Sequence, residues 1–357
     1  MGTVILAGTR KGLFLLRADE SREHFELEAE APLLPGWQVN HAVLDRRDGT
    51  LFACTNSWVY GGQLHRSKDG GANWDRAEGL GLPDESGLQL GATWHVEPGL
   101  ASQPDVVWLG AEPAVLFRSE DGGATFALVE GMLEQPTRER WQPGAGGLIC
   151  HSITLDPAAG DRLYVGVSAA GVFRSEDGGA SFEPANNGTA ADFNPDNPFP
   201  DVGQCVHKVY VHPTRPERLW QQNHCGVYRS DDRGESWERL EGNGLPSGFG
   251  FALGLDPADP DVAYVIPEEG ADNRVTSGAK LGVYKTTDGG ASWQLSSDGL
   301  PQPAWSVVLR EGMAWDEAGV YFGTQSGFVY ARRHDGSWVE AARHLPPVLS
   351  VSVAEWS

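Results

Sequence analysis

The chain is poor in three things, and each shortage closes off a class of proteins. Its four cysteines (Cys54, Cys150, Cys205, Cys225) show no CxxC spacing, which argues against a disulfide framework and for free thiols in a cytoplasmic protein. No stretch approaches the roughly 18 uninterrupted apolar residues of a membrane span. Positive charge is scarce: 27 Lys and Arg against 49 Asp and Glu leave a formal charge of −22, which argues against nucleic acid and anionic membrane surfaces as partners. The amino terminus, "MGTVILAGTRKGLFLL", lacks a basic leader and a small-residue cleavage site, and reads as two strands rather than a signal peptide.

Glycine and proline are abundant. Forty-six Gly, 23 Pro and 13 Trp in 357 residues predict many short strands and turns. The turns repeat. "SKDGGANW" from Ser67, "SEDGGATF" from Ser119, "SEDGGASF" from Ser175, "SDDRGESW" from Ser230 and "TTDGGASW" from Thr286 align, with Asp69, Asp121, Asp177, Asp232 and Asp288 separated by 52, 56, 55 and 56 residues. Such a period suits a four-stranded propeller blade. Each box lies between strand-like runs, so it is a hairpin turn: the Asp accepts backbone N–H groups and the glycines supply positive φ. A calcium loop of the EF-hand type needs more acidic ligands and a Glu at its twelfth position.

These boxes resemble the Asp-box, or bacterial neuraminidase (BNR) repeat, S-x-D-x-G-x-[ST]-W, and the resemblance implies a β-propeller. Six units have a full set of runs, the last with a worn box, "ARRHDGSW", and with "WSVVLR" (305–310) as its inner strand. A seventh unit is split. "VILAGTR", "GLFLLRADE" and "HFELEAE" supply three strands, and "VLSVSVAEW" (348–356) the missing inner one. The prediction is a single all-β domain over residues 1–357. It is a seven-bladed propeller of four-stranded antiparallel blades, closed by the C-terminal strand in the N-terminal blade (about 1–30 plus 348–356).

Four successive inner strands open on histidine. His95, His151 and His207 each lie 13 residues before an aromatic of the next strand, and His41 lies 11 before Phe52; the following blade has Phe251 there. Imidazoles at equivalent places around a narrow axis suit one divalent transition metal, Zn, Fe, Cu or Ni, so His41, His95, His151 and His207 are the predicted ligands. The alternative is that each ring serves its own strand or a neighbouring loop. Loops between second and third strands bring Glu112, His224 and Glu268 as candidate proton-moving groups. Arg10, Trp58, Tyr60, Arg140 and Arg274 are candidate substrate-binding residues.

The whole chain resembles bacterial proteins labelled BNR-repeat glycosyl hydrolases or sialidase-like proteins. A true sialidase resembles its relatives in an Arg-Ile-Pro motif and an arginine triad. Here "RIP" is absent, Arg10 and Arg274 fit loosely, and the third arginine (Arg138 or Arg140) is undefined. Two expectations follow. One is a hydrolase- or lyase-type enzyme acting on a small molecule or glycoside in a top-face central pocket, with a His-held metal, similar to propeller oxygenases and lyases. The other is a non-catalytic module that binds or assembles a protein partner.

Overall fold

The computed structural model describes residues 2–29 and 31–356. Its described residues form seven sheets, each of four antiparallel strands, and the fold class is an all-β, seven-bladed propeller. The inner strands are Val348–Trp356 (blade 1), Gln38–Leu44 (2), Thr93–Pro98 (3), Cys150–Leu155 (4), Val206–His212 (5), Gly250–Leu255 (6) and Met313–Asp316 (7). Blade 1 takes its other strands from Gly2–Thr9, Gly12–Ala18 and Glu26–Leu27, so the first and last strands of the chain pair in one sheet.

The chain divides into two compact units, residues 1–42, 222–227 and 240–357, and residues 43–221 and 228–239. Unit 1 holds blades 1, 6 and 7. One of its cores gathers Ile5, Ala7 and Leu16 with Tyr321, Val329, Val348 and Val351; another gathers Tyr264, Ile266, Val283, Phe322 and Trp338. Unit 2 holds blades 3 and 4. Its cores are built around Phe52, Leu109 and Phe117, around Trp108, Val165 and Phe173, and around Tyr164, Tyr228 and Trp237.

The repeated turn behaves as its residues require. In the box at Ser175, the hydroxyl of Ser175 donates to Asp177 Oδ1 (2.8 Å) and accepts from the Gly179 N–H (2.9 Å). Asp177 also accepts the Ser181 N–H (2.9 Å) and hydroxyl (2.6 Å). Gly178 and Gly179 have φ of 70° and 93°, where a side chain is strained. In the box at Ser230 the closing aromatic packs inward: Trp237 is 6% exposed, lies against Tyr164, and its indole N–H donates to the Ala185 carbonyl (2.8 Å).

Blade 7 departs from the sequence reading. Residues 305–310, "WSVVLR", are not its inner strand; Met313–Asp316 is, and Trp305 is 66% exposed. The run is apolar enough to pass for a strand, but alternation alone does not distinguish two neighbouring runs competing for one place.

Candidate active site

All four register-matched histidines lie on the first strand of their sheet and are buried, His41 in unit 1 and His95, His151 and His207 in unit 2. In blades 3 and 4 the pairing register slips at the histidine, between Thr93 and His95 and between Cys150 and Ser152. Such a bulge re-aims the side chain out of simple alternation. A polar group lies close to each ring. His41 Nε2 is 3.8 Å from Glu311 Oε2, and His95 Nε2 is 3.4 Å from Glu97 Oε2. His151 Nε2 lies 3.0 Å from the Val206 carbonyl, which fixes that nitrogen as the donor. His207 Nε2 is 3.7 Å from Cys205 Sγ.

In unit 1, three of the predicted site residues come together. Strand Ala263–Pro267 ends at proline, and Glu268 follows, its N–H bonded to the Phe249 carbonyl (2.9 Å). The next loop folds on itself: the Glu269 N–H donates to Val275 O (2.8 Å), and Glu269 Oε2 accepts the Gly278 N–H (3.1 Å). Thr276 bridges back to Glu268, and its hydroxyl donates to Ser306 O (2.6 Å). This closure places Arg274. Its Nε donates to Ala271 O (3.2 Å), and its guanidinium carbon stands 5.6 Å from the Phe251 ring centre and 6.0 Å from that of Phe249. Phe251 sits where the register with Ala263–Pro267 slips, between Gly250 and Leu253. His224, in the turn after Arg215–Asn223, meets Phe249 edge-on, with ring centres 5.1 Å apart. Arg310 lies on Phe251 as well, at 5.8 Å.

Electrostatics set the protonation states. Glu268 is 2% exposed; both carboxyl oxygens are closed to solvent and have no hydrogen-bond partner. Burial pushes its pKa up to about 7, and the nearby charge of Arg274 pulls it only partly back. Burial, and then Arg274, push the His224 imidazole below its usual range, so it is neutral at neutral pH. Arg274 thus acts on both groups, on a carboxyl raised to about 7 and on an imidazole lowered from its usual range.

Of the other predicted residues, Arg10 belongs to unit 1 and Trp58, Tyr60, Glu112 and Arg140 to unit 2. Glu112, in unit 2, is raised by burial, and its Oε1 would lie 2.6 Å from a Cβ added at Gly147, so it rests against bare backbone. Arg140 is engaged by Asp201, with Nη1 2.8 Å from Oδ2. Trp58 (98% exposed) and Tyr60 (68%) stand at the hairpin tip of blade 2, and Arg10 is an exposed residue whose N–H bonds Pro347 O (3.1 Å). A cavity of about 670 Å³ in unit 2 is lined by Pro83, Leu88, Leu133, Glu134 and Arg138 among others. Sequence reasoning missed Phe249, Arg310 and the Glu311 and Cys205 neighbours of the histidines. Arg310 was hidden in the run read as a strand, and no motif marks the others.

The fold is a seven-bladed β-propeller, and Glu268, His224 and Arg274 lie in one corner of unit 1. No family model matches the chain. It is 25% identical over 332 residues to the xyloglucanase of Hypocrea jecorina (strain QM6a), covering 84% of this chain and 37% of that protein. It is 27% identical over 210 residues to the probable oligoxyloglucan-reducing end-specific xyloglucanase of Neosartorya fischeri, covering 56% and 24%. The chain thus spans well under half the length of these curated relatives. Among solved structures, the GH74 xyloglucanase from Xanthomonas campestris superposes with a TM-score of 0.65 at 18% identity, over 95% of this chain and 52% of that one. "YCF48 bound to D1 peptide" does so at 0.55 and 15%, over 90% and 85%.

Proposed function

We propose that the protein is a glycoside hydrolase of the GH74-like kind, in which Glu268 donates a proton to the departing glycosidic oxygen. The observation that carries this reading is the Glu268 carboxyl: buried, unpartnered and protonated up to about pH 7. Two further observations support it, the similarity to xyloglucanases over most of the chain and the neutral His224 close by. In the reaction, the C–O bond to the leaving sugar breaks as Glu268 gives its proton to that oxygen. A water oxygen bonds to the anomeric carbon, and His224 accepts the water's proton. Arg274 is exposed and lies over the Phe249 and Phe251 rings beside this carboxyl. The test is reducing-sugar release from xyloglucan and related oligosaccharides by the protein and by Glu268→Gln. Turnover lost in the variant supports the reading. Undiminished turnover in Glu268→Gln removes Glu268 from the chemistry, and no turnover of any glycoside by the parent protein returns the chain to a binding or assembly role.

One observation favours a metal as a second reading. His41 Nε2 and Glu311 Oε2 are 3.8 Å apart, and both side chains are buried. An imidazole and a carboxylate at that spacing form a donor pair suited to zinc. Elemental analysis of the purified protein settles it: stoichiometric zinc that falls away in His41→Ala supports the site, and its absence after supplementation rejects it.

A further inference from the structure

The charges around Glu268 narrow the class of ligand, given the reading of Glu268 as the proton donor. The chain as a whole carries a formal charge of −22, yet two guanidinium groups meet in this corner of unit 1. Arg274 and Arg310 both lie on the one Phe251 ring, at 5.6 and 5.8 Å. Like charges drawn to one ring repel, and an anion between or beside them relieves that repulsion.

The protein supplies no such anion to Arg274. Its Nε bonds Ala271 O, and among the described residues no carboxylate forms an ion pair with it. Glu269 is engaged by the Gly278 N–H. Asp272, two residues before Arg274, is exposed and acts on His224 rather than pairing with the guanidinium. Glu268 is within reach of the Arg274 charge but holds its proton up to about pH 7. The terminal amino groups of an exposed guanidinium are thus left beside a buried, uncharged carboxyl and a neutral imidazole. A neutral sugar gives that guanidinium no charge to meet, whereas a carboxylate matches its planar fork with two parallel hydrogen bonds.

We infer that the ligand of this site is an acidic saccharide, one that carries a uronate carboxylate, and that Arg274 receives that carboxylate. A protonated Glu268 does not repel such an anion, so donor and anchor are compatible below about pH 7.

The test uses the full chain and calorimetric titration. The probes are oligosaccharides bearing galacturonate or glucuronate, each beside its methyl ester, which keeps the sugar and removes the charge. The expected result is binding at least tenfold tighter for the acids than for the esters. That preference weakens with added salt, is lost in Arg274→Gln and is partly kept in Arg274→Lys. Equal binding of acid and ester, binding of neither, or an acid preference untouched by Arg274→Gln overturns the inference. Glu268→Gln separates it from the reading it rests on. If this variant keeps the acid preference but still hydrolyses normally, the acidic ligand stands and the proton donor falls. If it loses turnover of neutral oligosaccharides and the parent shows no acid preference, the proton donor stands and the acidic ligand falls.

Discussion

The guanidinium of Arg274 pulls on the buried carboxyl of Glu268, and burial overrides it. The consequence is a stability cost that depends on pH. Unfolded, the carboxyl ionises near its ordinary value of 4.5; folded, it does so at about 7. The folded state is therefore not penalised below pH 4.5, loses stability as pH rises toward 7, and stays penalised above it. At about 1.4 kcal/mol for each tenfold change, the charged form costs roughly 3 kcal/mol. Glu268→Gln is expected to raise the melting temperature at pH 8.5 and leave it nearly unchanged at pH 4. Equal shifts at both pH values would remove the burial argument.

The fold also depends on the join between the first and last strands. Ile5 pairs with Val353 and Ala7 with Val351, and Val348, Leu349 and Val351 are buried. At about 1.5–3 kcal/mol for each large apolar side chain, losing those three removes an amount comparable to the ~5–15 kcal/mol that keeps a domain folded. Deletion of residues 348–357 is expected to abolish cooperative thermal unfolding. A sharp transition at the parent temperature would mean that blade 1 does not depend on that strand.

The repeated turns predict sensitivity to acid. Hydrogen bonds, from the Asn73 side chain first at Asp69 and from the Ser292 side chain first at Asp288, hold both carboxyls down at about 2, below the ordinary 3.8. A depressed carboxylate favours folding above its unfolded value and loses that advantage as pH falls from about 4 to about 2. The melting temperature is expected to drop across that window, and less steeply in Asp69→Asn/Asp288→Asn. Parallel curves for parent and variant would show that these turns do not set acid stability.

Gly147 tests whether Glu112 is tightly placed. It has φ of 100°, and a Cβ there would lie 2.6 Å from Glu112 Oε1. Gly147→Ala is expected to cost roughly 1–3 kcal/mol through backbone strain, with further loss from moving the carboxylate. Denaturant titration measures it; an unchanged midpoint would show that the loop relaxes without penalty.

The scaffold was legible because the period of about 55 residues, the Asp turns and the split blade are all local signals read at fixed offsets. The one misplaced strand, 305–310, failed because two apolar runs competed for one slot. The candidate site was legible in part. His224, Glu268 and Arg274 were singled out by their loops, and they do share one corner of unit 1. Their partners Phe249, Phe251 and Arg310 depend on a register slip at Gly250–Leu253, which sequence alternation does not register. The same limit applies to the histidines. Recurrence placed them on the right strands, but the side chain each one meets, Glu311 for His41 or Cys205 for His207, is set by packing.

The most direct test of the proton-donor role is the pH dependence of kcat/KM on a cleaved oligosaccharide, which reports ionisations of the free enzyme. With Glu268 as donor, the parent rate falls as pH rises through about 7, and Glu268→Gln loses on the order of 10²–10⁴-fold at every pH. A parent profile flat across pH 6–8, or a variant that keeps both the rate and the alkaline limb, contradicts the account.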